Sequence, residues 1–146
     1  MHARIALLLL FVTGLPLAQI LAQERTEPPG YVFSVTVRNQ QQLNVVLNRA
    51  EDLRELFNPN EHGKIAIVLH GDELQLFQKQ NYSSNQSVVE RARLLDQDNI
   101  IDIKACQTMM RTLDIEVNEL PSFIEQVPFA PAEIERLQKE EGFTRL

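Results

Sequence analysis

Apolar and polar positions along this chain follow two alternating spacings, one typical of strands and one typical of helices. Short runs rich in strand-forming residues are separated by stretches in which apolar residues recur every three or four positions. The strand-like runs are residues 31–37, 64–69, 100–104 and 123–127, with 143–146 as a short terminal candidate. This order predicts a single α/β domain with a mostly parallel sheet and helices on both faces.

Local signals mark where the predicted helices begin and end. Asn39 is a suitable amino-terminal cap for the first helix, and the Asn-Pro-Asn segment 58–60 should stop it. Ser83 and Gln86 have the spacing of a capping box for the next long helix. Pro131 is expected at the first position of the final helix, because proline is tolerated there.

Two residues with reactive side chains lie at the ends of predicted strands. His70 comes after the run 64–69, and Cys106, the only cysteine, comes after the run that begins at residue 100. Ligands of open parallel sheets bind beyond the carboxyl ends of the strands, so both residues should lie at one edge. Backbone N–H groups of the turn that follows Cys106 would favour a thiolate, which predicts an accessible and acidic thiol. The equally weighted alternative is a buried cysteine that acts as a small apolar residue.

The neighbours of these two residues allow more than one interpretation. His70 is either a base that assists the thiol or a residue that hydrogen-bonds its own turn. Asp72 and Glu73 would either orient His70 or act as acids at the amino end of a short helix, and the second interpretation is preferred. Thr108 is a candidate cap for the turn after Cys106.

The amino-terminal segment has the features of a cleaved signal peptide. A short basic start precedes an apolar run, and Ala22 offers a small residue before a polar stretch. We therefore expect a signal peptide at residues 1–22, a flexible lead-in at 23–30 and the α/β domain at 31–146. The interruptions of the apolar run make it a poor membrane span, so an exported, periplasmic protein without stable membrane insertion is expected.

Composition and motifs exclude several function classes. The net charge is −6 and no basic cluster is present, so nucleic acid is not an expected partner. Met109 and Met110, with Cys106 and His70, resemble a soft-metal donor set such as one for copper(I). Methionines at helical spacing more often fill gaps in a core, so neither a metal nor a cofactor is predicted.

Three segments carry a family resemblance: 64–74, which includes the strand end at His70-Gly71; 103–115, which contains Cys106, Arg111 and Ile115; and the closing segment 128–143. Over about residues 31–146 the chain resembles the DsrE/DsrF-like sulfur-relay family, most closely its exported, single-domain branch. The resemblance implies a flavodoxin-like fold, homo-oligomers such as trimers or hexamers, and a persulfide on Cys106. Asp114 stands where that family commonly has glycine.

The resemblance and the residues together lead to two hypotheses. In the first, an exported sulfur-handling protein accepts sulfane sulfur on Cys106 from a donor protein and passes it to an acceptor, with His70 assisting. In the second, a non-catalytic oligomeric module binds a small ligand at the carboxyl ends of the strands.

Overall fold

The computed structural model describes residues 29–55 and 65–146, which contain five strands and four α-helices. The strands are β1 (Tyr31–Val35), β2 (Ile65–Leu69), β3 (Asp102–Cys106), β4 (Glu125–Val127) and β5 (Thr144–Arg145). The helices are α1 (Gln40–Arg54), α2 (Tyr82–Gln97), α3 (Gln107–Thr112) and α4 (Ala130–Lys139), with 3₁₀ turns at Asp72–Phe77, Lys79–Asn81 and Val117–Glu119. The expected signal peptide 1–22, residues 23–28 of the lead-in and the helix stop at 58–60 lie outside the described residues.

The strands form one parallel sheet in the order β4-β3-β2-β1-β5. Helices connect successive strands, as parallel pairing requires. The predicted α/β class, with a parallel sheet and a flavodoxin-like layering of helices, is therefore confirmed.

Apolar side chains pack on both faces of the sheet. The larger core lies against α1, α2 and α3, and includes Leu43 and Leu47 of α1 together with Ile67 of β2. The second cluster lies against α4. Its buried members are Val32, Ala66, Val68, Cys106, Ala130, Ile134, Leu137 and Phe143. Strand β2 is buried along its whole length because helices cover it from both sides.

The predicted start of α1 agrees with the structure, and the predicted start of α2 does not. The Asn39 side chain accepts a hydrogen bond from the Gln42 N–H at 2.9 Å, so the predicted cap of α1 is confirmed. The capping box of Ser83 and Gln86 is wrong. Helix α2 begins at Tyr82, directly after a 3₁₀ turn, so Ser83 already lies inside the helix.

The last helix begins one position earlier than predicted, and Gly142 closes it as predicted. Helix α4 begins at Ala130, which places Pro131 at the second helical position, where its missing N–H is still harmless. Gly142, at φ 76°, ends the helical region and lets the chain turn into β5. Among the described residues, no helix is long and apolar enough to cross a membrane.

Candidate functional site at the carboxyl ends of the strands

The register of the sheet brings His70 and Cys106 to the same edge. Leu69 of β2 pairs with Ala105 of β3; His70 directly follows β2, and Cys106 is the last residue of β3. Successive side chains alternate between faces, and Cys106 belongs to the cluster under α4. His70, two positions beyond Val68 of that cluster, follows the same face. The predicted common edge is confirmed.

Cys106 is buried beneath the start of α4. Its side chain is 3 % exposed, and its Sγ accepts a hydrogen bond from the Ala130 N–H at 3.4 Å. Ala130 is the first residue of α4, so the donor at the thiol comes from α4 and not from α3, the helix that follows Cys106 in the chain. The expectation of an accessible thiol is wrong for this chain, because α4 returns over the second face of the sheet and covers it.

Thr108 makes one of the contacts that hold the segment over the thiol. The Thr108 hydroxyl donates to the Pro128 carbonyl at 3.0 Å, which ties the start of α3 to the residues just before α4. The sequence suggested that Thr108 caps the turn after Cys106, and this is wrong. The Cys106 side chain does not cap that turn either.

His70 points toward β1 rather than toward Cys106. Its Nε2 lies 2.9 Å from the Ser34 hydroxyl oxygen, and within residues 29–55 and 65–146 no hydrogen bond joins it to Cys106. Burial lowers the pKa of His70, a hydrogen bond to its own backbone opposes that change, and the nearby Arg145 lowers the pKa further. The lowered pKa favours the neutral imidazole, which suits a hydrogen-bond acceptor or a proton acceptor.

Glu73 has a role that the sequence did not reveal. It is fully buried, and its Oε1 accepts the backbone N–H groups of His70 and Gly71, each at 2.7 Å. Its Oε2 accepts the Val37 N–H at 3.1 Å. Burial raises the pKa of Glu73, and these backbone donors lower it again. Glu73 thus fixes the backbone of His70 and joins the loop after β1 to the loop after β2; its carboxylate does not reach the imidazole.

Gly71 is required by this arrangement. A Cβ at Gly71 would lie 2.7 Å from Glu73 Oε2 and 3.3 Å from the Thr36 side chain. A side chain there would push the carboxylate away from its backbone donors. Close packing against Glu73 therefore explains why glycine follows His70 in this chain.

The positive charge of Lys104, two residues before Cys106, is paired with nearby carboxylates. Its buried ammonium lies 3.0 Å from Asp102 and 3.7 Å from Glu133, and it also pairs with Glu125. Burial alone lowers the pKa of Lys104, but the hydrogen bonds with Glu125 and Asp102 outweigh it and raise the pKa. This network fastens α4 to β3 and β4 beside the thiol.

The methionines next to Cys106 pack into the cores. Met110 is buried in the larger core, and Met109 lies against both clusters. Among residues 29–55 and 65–146, no group of three or more His, Cys, Asp and Glu side chains has the arrangement of a metal site.

Comparisons with known proteins bear on the fold alone. No family model and no curated protein matches this chain. A solved structure, that of MTH1491 from Methanobacterium thermoautotrophicum, described as a protein of unknown function, is similar with a TM-score of 0.58 and 20% sequence identity. The match covers 80% of this chain and 96% of that one. The chain therefore shares its α/β architecture with a small protein of known structure.

Proposed function

We propose that this protein carries sulfane sulfur as a persulfide on Cys106. The observation that supports the proposal is the Ala130 N–H directed at Sγ from the first residue of α4. A backbone donor and the positive end of a helix stabilise a thiolate or a persulfide anion at this place. The resemblance of the segments around His70 and Cys106 to the DsrE/DsrF-like family supports the same chemistry.

The proposed step is a transfer of one sulfur atom between thiols. The Cys106 thiolate attacks the outer sulfur of a donor persulfide, R–S–SH. A new S–S bond forms on Cys106, the S–S bond of the donor breaks, and the donor leaves as the thiolate R–S⁻. This thiolate takes up one proton from solution, in place of the proton that Cys106 released on forming its own thiolate. The reverse reaction with an acceptor thiol unloads the sulfur, and no external oxidant or reductant is consumed.

Access to Sγ is part of the proposal. Because Cys106 is 3 % exposed, a donor reaches it only when the segment held by the Thr108–Pro128 bond moves away from β3. His70 would assist as a base once its ring turns from Ser34 toward the thiol. The closed position would shield a loaded persulfide from solvent and from other thiols.

Intact-mass measurement after incubation with inorganic polysulfide tests the proposal. The mature protein should gain one sulfur atom, and Cys106→Ser should gain none. Ser34→Ala is a matched control, since it alters the same edge and keeps the thiol. If polysulfide modifies the unfolded chain but leaves the mass of the folded wild-type protein unchanged, the sulfur-carrier role is refuted.

A second candidate function is a small-ligand-binding module at the strand ends. It is favoured by a surface cavity of about 370 Å³ beside Ser34 and His70. The volume lies in the range of small-molecule sites. Binding that is unchanged in Cys106→Ser protein would separate this function from sulfur transfer.

The proposed setting follows the sequence. Residues 1–22 would be removed on export to the periplasm, where the mature chain would form a homo-oligomer, such as a trimer or hexamer, and meet sulfur donor and acceptor proteins. Amino-terminal sequencing of the exported product and light scattering of the mature protein test the first two points. A product that begins at Met1, or a monomer at micromolar concentration, would contradict them.

A further inference from the structure

The cavity beside Ser34 lies between α4 and the sheet, on the side of His70 that faces away from Cys106. Ser34 belongs to β1, Arg145 to β5, and Pro131 and Ile134 to α4. β1 lies between β2 and β5, so the cavity is on the opposite side of β2 from β3, the strand of Cys106. It is therefore a place distinct from the thiol.

The charge in the cavity is positive. Within residues 29–55 and 65–146, no carboxylate lies within ion-pair distance of Arg145. Glu135 also lines the cavity, but it pairs with Lys139, which offsets its charge. Arg145 is close enough to His70 to lower the pKa of the imidazole, so its field reaches the inner end of the cavity.

The other lining groups divide into polar and apolar sets. Ser34 and His70 form a hydrogen-bonded pair at one end, and the Gln138 amide adds a donor and an acceptor. Pro131 and Ile134 form an apolar flank on the α4 side. A ligand that matches this lining has one anionic end and a short apolar body.

We propose that this cavity binds a small organic acid with one carboxylate, which pairs with the Arg145 guanidinium while its hydrocarbon part lies on Pro131 and Ile134. Arginine and a carboxylate match in a two-point hydrogen bond, which gives orientation as well as affinity. Among the described residues that line the cavity, Arg145 is the only Lys or Arg, so one negative charge of a ligand can be paired, which favours a monoanion over a dianion. This inference rests on the second candidate function and names its ligand class.

The test uses butyrate and benzoate as probes, with isotope-labelled mature protein observed by nuclear magnetic resonance. Both acids should shift the signals of Ser34 and Arg145 in a saturable way, and should raise the pKa of His70 by adding a negative charge beside it. The Arg145→Gln variant should weaken binding roughly 10- to 100-fold, the loss expected for one charge-assisted pair. Arg49→Gln, which removes an equal charge from an exposed position on α1, should leave the affinity unchanged.

Three outcomes would overturn the inference. They are the absence of saturable binding at millimolar concentration, equal binding of neutral butyramide or of inorganic sulfate, and equal weakening by Arg145→Gln and Arg49→Gln. The same titration with Cys106→Ser protein separates the two proposals. Unchanged butyrate binding there supports the cavity as a site independent of the thiol, and loss of binding there overturns it.

Discussion

Replacing Glu73 by glutamine tests whether one buried carboxylate holds the loops at the strand ends together. The amide keeps one oxygen, which can still accept from His70 and Gly71. Its NH₂ group then faces the Val37 N–H, so one donor loses its acceptor. A hydrogen bond to a charged group contributes about 1.5–3 kcal/mol, and removal of a buried charge returns part of that. We expect Glu73→Gln to lower the free energy of unfolding by about 1–3 kcal/mol.

Two further variants give the scale of this effect. Glu73→Ala leaves all three backbone N–H groups without an acceptor, and should cost about 3–5 kcal/mol. Asp72→Asn changes the exposed neighbour in the same turn, and should stay within about 0.5 kcal/mol of wild type. Urea unfolding followed by circular dichroism measures all three. If Glu73→Gln is as stable as Asp72→Asn, the carboxylate does not hold the loops and the argument is refuted.

The pH dependence of the same comparison has a definite sign. Burial raises the pKa of Glu73 above its ordinary value of 4.5, against the opposing effect of the backbone donors. From pH 4.5 up to the raised pKa, the folded state keeps a proton that the unfolded state has lost. The stability of wild type relative to Glu73→Gln should therefore fall as pH rises through this window. A relative stability that increases there would contradict the burial argument.

The remaining predictions concern the thiol, the imidazole and the glycine. Folded protein should react with iodoacetamide roughly tenfold or more slowly than unfolded protein. Thr108→Val should speed the reaction of the folded protein about two- to tenfold. Equal rates for folded wild type and folded Thr108→Val would refute the shielding of the thiol by this segment. Because the pKa of His70 is lowered from 6.5, stability should fall as pH drops from 6.5 to the folded pKa, and unfolding of His70→Gln should lack that slope. Gly71→Ala should cost about 1–3 kcal/mol in urea unfolding, and an unchanged midpoint would contradict the close approach of Glu73.

Local patterns were sufficient for the elements but not for all of their ends. The spacing of Leu43 and Leu47 and the cap at Asn39 are properties of a few neighbouring residues, so helix α1 could be predicted directly. Strand β3 runs to Cys106 because Cys106 pairs with Val127 of β4, a partner 21 residues away in the chain. Strand ends depend on pairing with residues that are distant in the chain, and the local apolar pattern does not predict that pairing.

The site shows the same division between local and distant causes. The sequence by itself placed His70 and Cys106 at one edge, because strand period and parallel order follow from the apolar pattern. Three features depended on segments that are distant in the chain: the burial of Cys106 by α4, the hydrogen bond between His70 and Ser34, and the hydrogen bond from the Val37 N–H to Glu73. Glu73 was expected to be an acid at the amino end of a short helix, and it does lie in the first turn of the 3₁₀ helix Asp72–Phe77, but nothing local marks its carboxylate for burial. Two of its backbone donors, His70 and Gly71, are close in the chain, but the third, Val37, is added only when the loop after β1 packs against the loop after β2 in the folded chain.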